Sequence, residues 1–430
     1  MRLGRLQLQI YYGWVITFVG LLVVTIVYGC KFCFGTLFGA LLDEFGWSRT
    51  MVTSVFSVSI LAQAFLQPLG GALLDKYGPR KMLTAGAALL CVSLAMFGNA
   101  HSLWSVYFSY GIMFSLATVA AGFVINTTMV SHWFERKRGI AVGIVAAGTS
   151  LGLFIFNPLL AYLIGLYGWR NAMVILGIAA GIVIAVTVLV LAKDRPEDIG
   201  QHIDGIAVEV TPPPPATSRT TESASSIVLR NWTFREAIST REFWLLFVAY
   251  IGYLFCWYSV TNHAVMAMCD MGLERVKAAG IFGCIGLVGA ISGLISAWIA
   301  DRLRDRKYMV AAAYLTLGLG ALLFSRTTTS IGMLYVIMVL MGFGHGAAVL
   351  LSAVVADRFG VKAMGAICGT ITMAGLLGGA VGPMVVGYTY DVLKSYTVAW
   401  LMLTVLLLLS AAFVLCVRQV PQRFGTGSKE

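Results

Sequence analysis

The sequence predicts an all-α membrane protein of twelve transmembrane helices, arranged as two pseudo-symmetric six-helix bundles. Three observations carry this. The 430 residues are 59% hydrophobic and 11% charged, with a mean hydropathy of +0.86, far more apolar than a soluble chain. Apolar runs long enough to cross a hydrocarbon layer of about 30 Å recur along the chain, separated by short charged or Gly/Pro-containing breaks. Finally, an offset of 226 residues superposes Gly46 on Gly272, Arg49 on Arg275, Asp75 on Asp301, Arg80 on Arg306, Gly139 on Gly365, Gly143 on Gly369 and Gly152 on Gly378. A repeat of that length is the pattern of two similar bundles around a midplane site.

The spans are expected at 14–40, 52–74, 82–100, 104–130, 139–166, 170–192, 243–268, 278–300, 308–326, 331–356, 365–389 and 397–417. Tyr11, Tyr12 and Trp14 fit an interfacial anchor for the first, which is too long for a cleaved signal core and lacks a small-residue cleavage pattern. The first bundle is expected over 1–192 and the second over 242–417. Between them, 193–241 is the one long polar stretch, with Pro212 to Pro215 and a Ser/Thr-rich run, and reads as a flexible cytoplasmic linker. Its last part, 234–241, suits a short surface helix, and 418–430 reads as a cytoplasmic tail.

The net charge of +11 follows the membrane rather than nucleic acid. With the amino terminus inside, 23 of the 30 Lys and Arg residues are cytoplasmic, six lie outside and Lys31 is within a span. That bias places both termini in the cytoplasm, in a multi-pass cell (inner) membrane protein. The eight cysteines fall in or beside spans, so no disulfide framework or metal-ligand spacing follows. Cys30-Lys31-Phe32-Cys33 reads as small-residue packing rather than redox chemistry. No GxxxxGK[ST] motif is present, so ATP is not the direct driver, and no cofactor is implied.

Lys31 is the residue that asks for an explanation. It stands about 25 Å along the first helix from Trp14, and a lysine at such depth costs a few kcal/mol unless it faces a cavity and meets something negative. All nineteen acids fall outside the predicted spans. A negatively charged substrate is the simplest compensation. The alternatives are a deprotonated lysine, or one reaching outward to Asp43 or Glu44. Tyr28 and Gly35 share its helix face, the tyrosine adding a hydroxyl and the glycine leaving room. The offset sets Trp257 opposite Lys31, with Tyr250 and Tyr253 on the same stripe. That aromatic wall suits a cation–π clamp, an apolar substrate body, or plain helix packing. Gln63, Asn157, Asn262, His263 and His345 lie at comparable depth. Among them His345, between Gly344 and Gly346, is the residue best suited to bind a carboxylate or carry a proton, whereas the amides equally suit structural hydrogen bonds.

The two halves, with Asp75/Arg80 after the second span and Asp301/Arg306 after the eighth, resemble the major facilitator superfamily. More narrowly, Phe45-Gly46-Trp47-Ser48-Arg49, His132-Trp133-Phe134 through Arg138-Gly139, Gly168-Trp169-Arg170, Arg195-Pro196-Glu197-Asp198-Ile199-Gly200 with Asp204-Gly205, and Phe243-Trp244-Leu245-Leu246 resemble bacterial monocarboxylate porters and oxalate/formate antiporters. The resemblance implies alternating access, with Gly71, Asp75 and Arg80 as gating residues against the eleventh helix, and Asp301 and Arg306 as their echo. Those carriers place a substrate-binding arginine in the eighth helix, and the oxalate type adds a lysine in the eleventh. Neither helix carries a charge here, over 281–300 or 366–388.

The expected function is therefore secondary transport of a small organic anion, a mono- or dicarboxylate, by proton symport or anion exchange. The expected form is a monomer in a lipid bilayer, with no enzyme activity. An exporter of amphipathic or aromatic compounds is the alternative within transport, and a transport-dead sensor the alternative outside it.

Overall fold

The computed structural model describes residues 11–205, 232–300, 302–303, 305–326, 330–348, 350–360 and 363–418. The predicted gating residue Asp301, most of the polar linker (206–231) and nearly all of the tail (419–430) lie outside the described residues.

The helices are α1 (Gly13–Phe45), α2 (Arg49–Tyr77), α3 (Pro79–Gly98), α4 (Leu103–Ser131), α5 (138–167), α6 (169–191), α7 (Arg241–Asp270), α8 (Arg275–Ala300), α9 (Lys307–Arg326), α10 (Ile331–Phe359), α11 (Met364–Leu393) and α12 (Thr397–Cys416). The α5–α6 stretch runs unbroken over 54 residues except at Gly168, whose φ of 73° turns the chain back. A straight helix of that length would measure about 80 Å, far more than a bilayer, so the left-handed glycine makes two spans of it. The 226-residue offset lands on Lys394, which also has a positive φ, 53°, and stands between α11 and α12.

Several helices differ from the sequence expectation. They run past the predicted spans and take in Asp43, Glu44, Asp75, Glu242, Asp270, Asp357 and Asp391 at their ends. α1 bends at Cys33, directly after Lys31 and Phe32. α4 contains a π-helical stretch, Tyr107–Met113, and a break at Gly122. The beginning of the predicted flexible linker is ordered. Residues 193–205 fold back on the α4–α5 loop, where the Asp204 carboxylate accepts the backbone N–H groups of Glu135 (3.2 Å) and Arg136 (2.8 Å). The predicted surface helix is present as Phe234–Ile238, capped by Thr233 and Glu236.

Packing repeats between the halves as the sequence does. In the first half α1 lies on α5, α2 on α4 and α3 on α6; in the second α7 lies on α11, α8 on α10 and α9 on α12. Gly152 of α5 abuts the Thr25 carbonyl of α1, and Gly378 of α11 abuts the Ile251 carbonyl of α7. Both partners of that contact are related by the 226-residue offset. Small residues let these backbones approach, which in a bilayer is a principal source of helix association. The halves meet through α2 against α11, α5 against α8, and the C-terminal part of α1 against α7.

Candidate functional site

Lys31 sits where the halves meet. Its residue is 3% exposed, and Nζ donates to Gln63 Oε1 of α2 (2.9 Å) and Tyr258 OH of α7 (3.3 Å). The ammonium also stands 5.5 Å from the Tyr28 ring centroid and 5.2 Å from that of Tyr258, within cation–π range. Gln63 is aimed by its own amide, which donates to Ser59 Oγ (3.1 Å), and Ser59 in turn bonds Ser115. The π-helical stretch of α4 presents Tyr110, whose hydroxyl donates to the Lys31 carbonyl (3.1 Å) just before the bend in α1. Among the described residues no carboxylate pairs with Lys31. Asp43 faces Arg275 instead (3.5 Å), and Glu44 bonds Arg170 (2.6 Å) and the Trp169 indole.

A second cluster faces this one from the second half. The Trp257 and His345 rings are stacked, with centroids 3.6 Å apart and planes within 4°. His345 Nδ1 lies 3.0 Å from Tyr253 OH, and Tyr253 stacks on Tyr314. Phe32, next to Lys31, meets Trp257 edge-on at 6.2 Å. Lys31, Tyr28, Gln63, Tyr253, Trp257 and His345 are thus brought into one region.

Two details correct the sequence reading. Tyr258, not Trp257, contacts Lys31, because α7 turns by about 100° per residue and the offset fixes only the level. Nor does Gly35 leave room for a ligand: a Cβ there would overlap the Thr261 carbonyl, so the glycine serves the α1–α7 crossing.

Asn157, Asn262 and His263 lie beyond this region, toward the end opposite the termini. Asn157 accepts from Thr36 (2.7 Å) and donates to the Leu153 carbonyl (2.9 Å). Asn262 donates to the Tyr258 carbonyl (2.7 Å), and its Oδ1 is buried with no partner among the described residues. His263 belongs to a chain whose proton positions are forced. The Pro383 carbonyl can only accept, so Nε2 (2.9 Å away) carries the proton; Nδ1 then accepts from Tyr396 OH at 3.0 Å. Tyr396 receives Arg49 Nη1 at 2.5 Å. Burial pushes the Tyr396 phenol up from its ordinary pKa, consistent with a protonated donor.

That chain is part of a seam closing this end. Arg49 pairs with Asp270 (2.8 Å) and stacks on Tyr390, Arg275 pairs with Asp43, and Asp391 accepts from the N–H groups of Arg49 (3.0 Å) and Thr50 (2.9 Å). Among the described residues, hydrogen bonds between the halves occur at the level of Lys31 or on this side of it. Toward the termini, no hydrogen bond or ion pair joins the halves among the described residues. The predicted gating residues Gly71, Asp75, Arg80 and Arg306 sit at this end. Asp75 is exposed, and Arg80 stays within its own half, its N–H on Asp194 (2.8 Å) and its guanidinium on the Leu189 carbonyl (2.7 Å). Arg306 pairs with Asp357 (2.9 Å), again within one half.

The sequence model of the Major Facilitator Superfamily matches residues 20–383 and 304–430. The chain belongs to that superfamily. It is accordingly a multi-pass membrane transport protein and not an enzyme. Relatives include monocarboxylate transporter 13 of Rattus norvegicus, 24% identical over 391 residues, 90% of this chain and 85% of that one. The oxalate:formate antiporter of Oxalobacter formigenes is 29% identical over 178 residues, covering 41% of this carrier and 42% of its own length. A bacterial homolog of the human lysosomal transporter Spinster, solved in an inward-facing and occupied conformation, shares the fold with a TM-score of 0.72. That match has 14% identity and covers 95% of this carrier and 97% of the other chain.

Proposed function

We propose that the carrier moves a small organic anion, a mono- or dicarboxylate, by alternating access, and that Lys31 holds the carboxylate. The observation that carries the reading is a lysine 3% exposed, at the meeting of the two halves, with amide, hydroxyl and aromatic partners but, among the described residues, no carboxylate. A buried ammonium so placed is under-compensated, and an anion arriving between the halves completes it. The similarity to monocarboxylate and oxalate:formate carriers supports the same substrate class.

With both termini cytoplasmic, the end closed by Arg49, Asp270 and Asp391 is the outer one and the carrier stands open to the cytoplasm. Bundles 1–192 and 242–417, joined through 193–241, then rock about the level of Lys31, and the protein works as a monomer. Gly71, Asp75 and Arg80, with Asp301 and Arg306, lock the cytoplasmic end in the opposite state. Among the described residues no carboxylate meets Lys31 to relay a proton, so coupling uses a histidine, Lys31 itself or a proton travelling on the substrate; exchange of two anions requires none. The aromatic faces of Phe32, Trp257 and Tyr253 favour a cargo with some apolar surface, and they also support the second reading, export of amphipathic aromatic compounds.

The test is uptake of labelled mono- and dicarboxylates into proteoliposomes, with and without an imposed pH gradient. The expected result is saturable accumulation of at least one carboxylate; dependence on the gradient identifies symport, and dependence on an internal anion identifies exchange. Absence of carboxylate uptake, together with movement of an amphipathic aromatic dye, overturns the anion reading and establishes the exporter.

A further inference from the structure

Over 281–300 the eighth helix carries no charge, but the structure fills the space beside it with His345. On α8, Gly289 offers a bare backbone to the ring: a Cβ there would stand 3.3 Å from His345 Cδ2. Gly342 and Gly346 of α10 press equally close to α8, held by Ser292 Oγ donating to the Gly342 carbonyl (3.2 Å). This glycine-to-glycine contact carries the α10 histidine in over α8 until it meets Trp257 of α7. Trp257 fixes the plane of the imidazole, and Tyr253 holds its Nδ1 at 3.0 Å. In the tautomer where the phenol donates to Nδ1, the imidazole proton stands on Nε2. Nε2 has no protein partner among the described residues, and the side chain is only half-buried, unlike the Trp257 beneath it. An oriented N–H donor of this kind, held beside a transport site without an acceptor, is a recognition element for a ligand oxygen.

We propose that His345 is a specificity-determining residue: its Nε2–H donates to a second oxygen of the anion whose carboxylate Lys31 holds. Tyr253 is its positioning residue. The cargo preferred by this arrangement carries an acceptor oxygen besides the first carboxylate, either a 2-oxo group or a second carboxylate, rather than being a plain alkanoate. Lys31 from the first half and His345 from the second then grip opposite ends of one molecule, which gives the substrate a means of drawing the halves together. The inference rests on the Lys31 reading.

The experiment measures inhibition constants in proteoliposomes for butyrate, 2-oxobutyrate and succinate, in wild type, His345→Ala, His345→Gln and Tyr253→Phe. Wild type is expected to bind 2-oxobutyrate or succinate at least tenfold more tightly than butyrate, and whichever gains the preference identifies the source of the second oxygen. His345→Ala is expected to erase the preference, weakening the preferred anion at least tenfold more than butyrate. His345→Gln, which retains an N–H donor, should restore part of it, and Tyr253→Phe should reduce it. If His345→Ala weakens all three anions by the same factor, or if wild type shows no preference, the role assigned to His345 is wrong while the Lys31 reading stands. If none of the three anions binds wild type, it is the Lys31 reading that has failed.

Discussion

Lys31→Ala is expected to abolish uptake of the carried anion and to leave the protein at least as stable as wild type. Both halves of that result follow from the same geometry. Removing one partner of a desolvated charge pair costs about 2–5 kcal/mol in binding, a loss of roughly 30- to several-thousand-fold. Among the described residues the ammonium has only neutral partners, Gln63 Oε1, Tyr258 OH and two aromatic faces. Taking a buried charge out of such surroundings relieves a desolvation cost instead of breaking an ion pair. A structural lysine would behave in the opposite way, with its loss lowering the thermal midpoint in step with activity. Paired measurement of uptake and of thermal unfolding in detergent separates the two. Lys31→Arg should rescue poorly, because a planar guanidinium does not fit a slot shaped for a compact ammonium.

Arg49→Ala is expected to open the end opposite the termini. Arg49 spans the halves three ways: an ion pair to Asp270 (2.8 Å), a hydrogen bond to Tyr396 (2.5 Å), and a face-on stack with the Tyr390 ring (3.5 Å). Hydrogen bonds to charged groups contribute about 1.5–3 kcal/mol each. Even one such contribution, lost from one of two states differing by a few kcal/mol, shifts their ratio by roughly tenfold or more. Spin labels at the exposed positions Asn99 and Lys394, one in each half at this end, report the change in a background free of the eight native cysteines. The variant should populate a longer distance that wild type visits rarely. An unchanged distance distribution would remove Arg49 from the seam and leave Asp391, which holds the backbone N–H groups of Arg49 and Thr50, as the principal closure. Arg49→Lys should fall between the two.

Much of the architecture was legible because a bilayer restricts what a chain can do. Backbone satisfaction forces helices, length sets the spans, and the repeat at Gly152 and Gly378 marks one helix crossing in each half. Lys31 stood out for the same reason, as a charge where the solvent is hydrocarbon. Its neighbours were less legible. Tyr258 was missed for Trp257, one position and one helix rotation away, because a sequence offset carries level but not azimuth. A bend at Cys33 and a π-helical stretch over Tyr107–Met113 have no periodicity signal, yet they set where the Lys31 carbonyl and Tyr110 meet. The repeat did align Arg49 with Arg275. That each arginine crosses to an acid of the other half, Asp270 and Asp43, became visible only once α1 and α7 were side by side. Asp204, a linker acid in the sequence, proved to clamp the α4–α5 loop, since its role depends on contacts about 70 residues away in the chain.

Recognition of the cargo's negative charge by Lys31 is read out by calorimetric binding of a transported carboxylate and of its uncharged amide to wild type and Lys31→Ala. Wild type should favour the carboxylate by about a hundredfold, and Lys31→Ala should bind both equally weakly. A Lys31→Ala variant that still prefers the carboxylate by the wild-type factor would show that the charge is read elsewhere in the carrier.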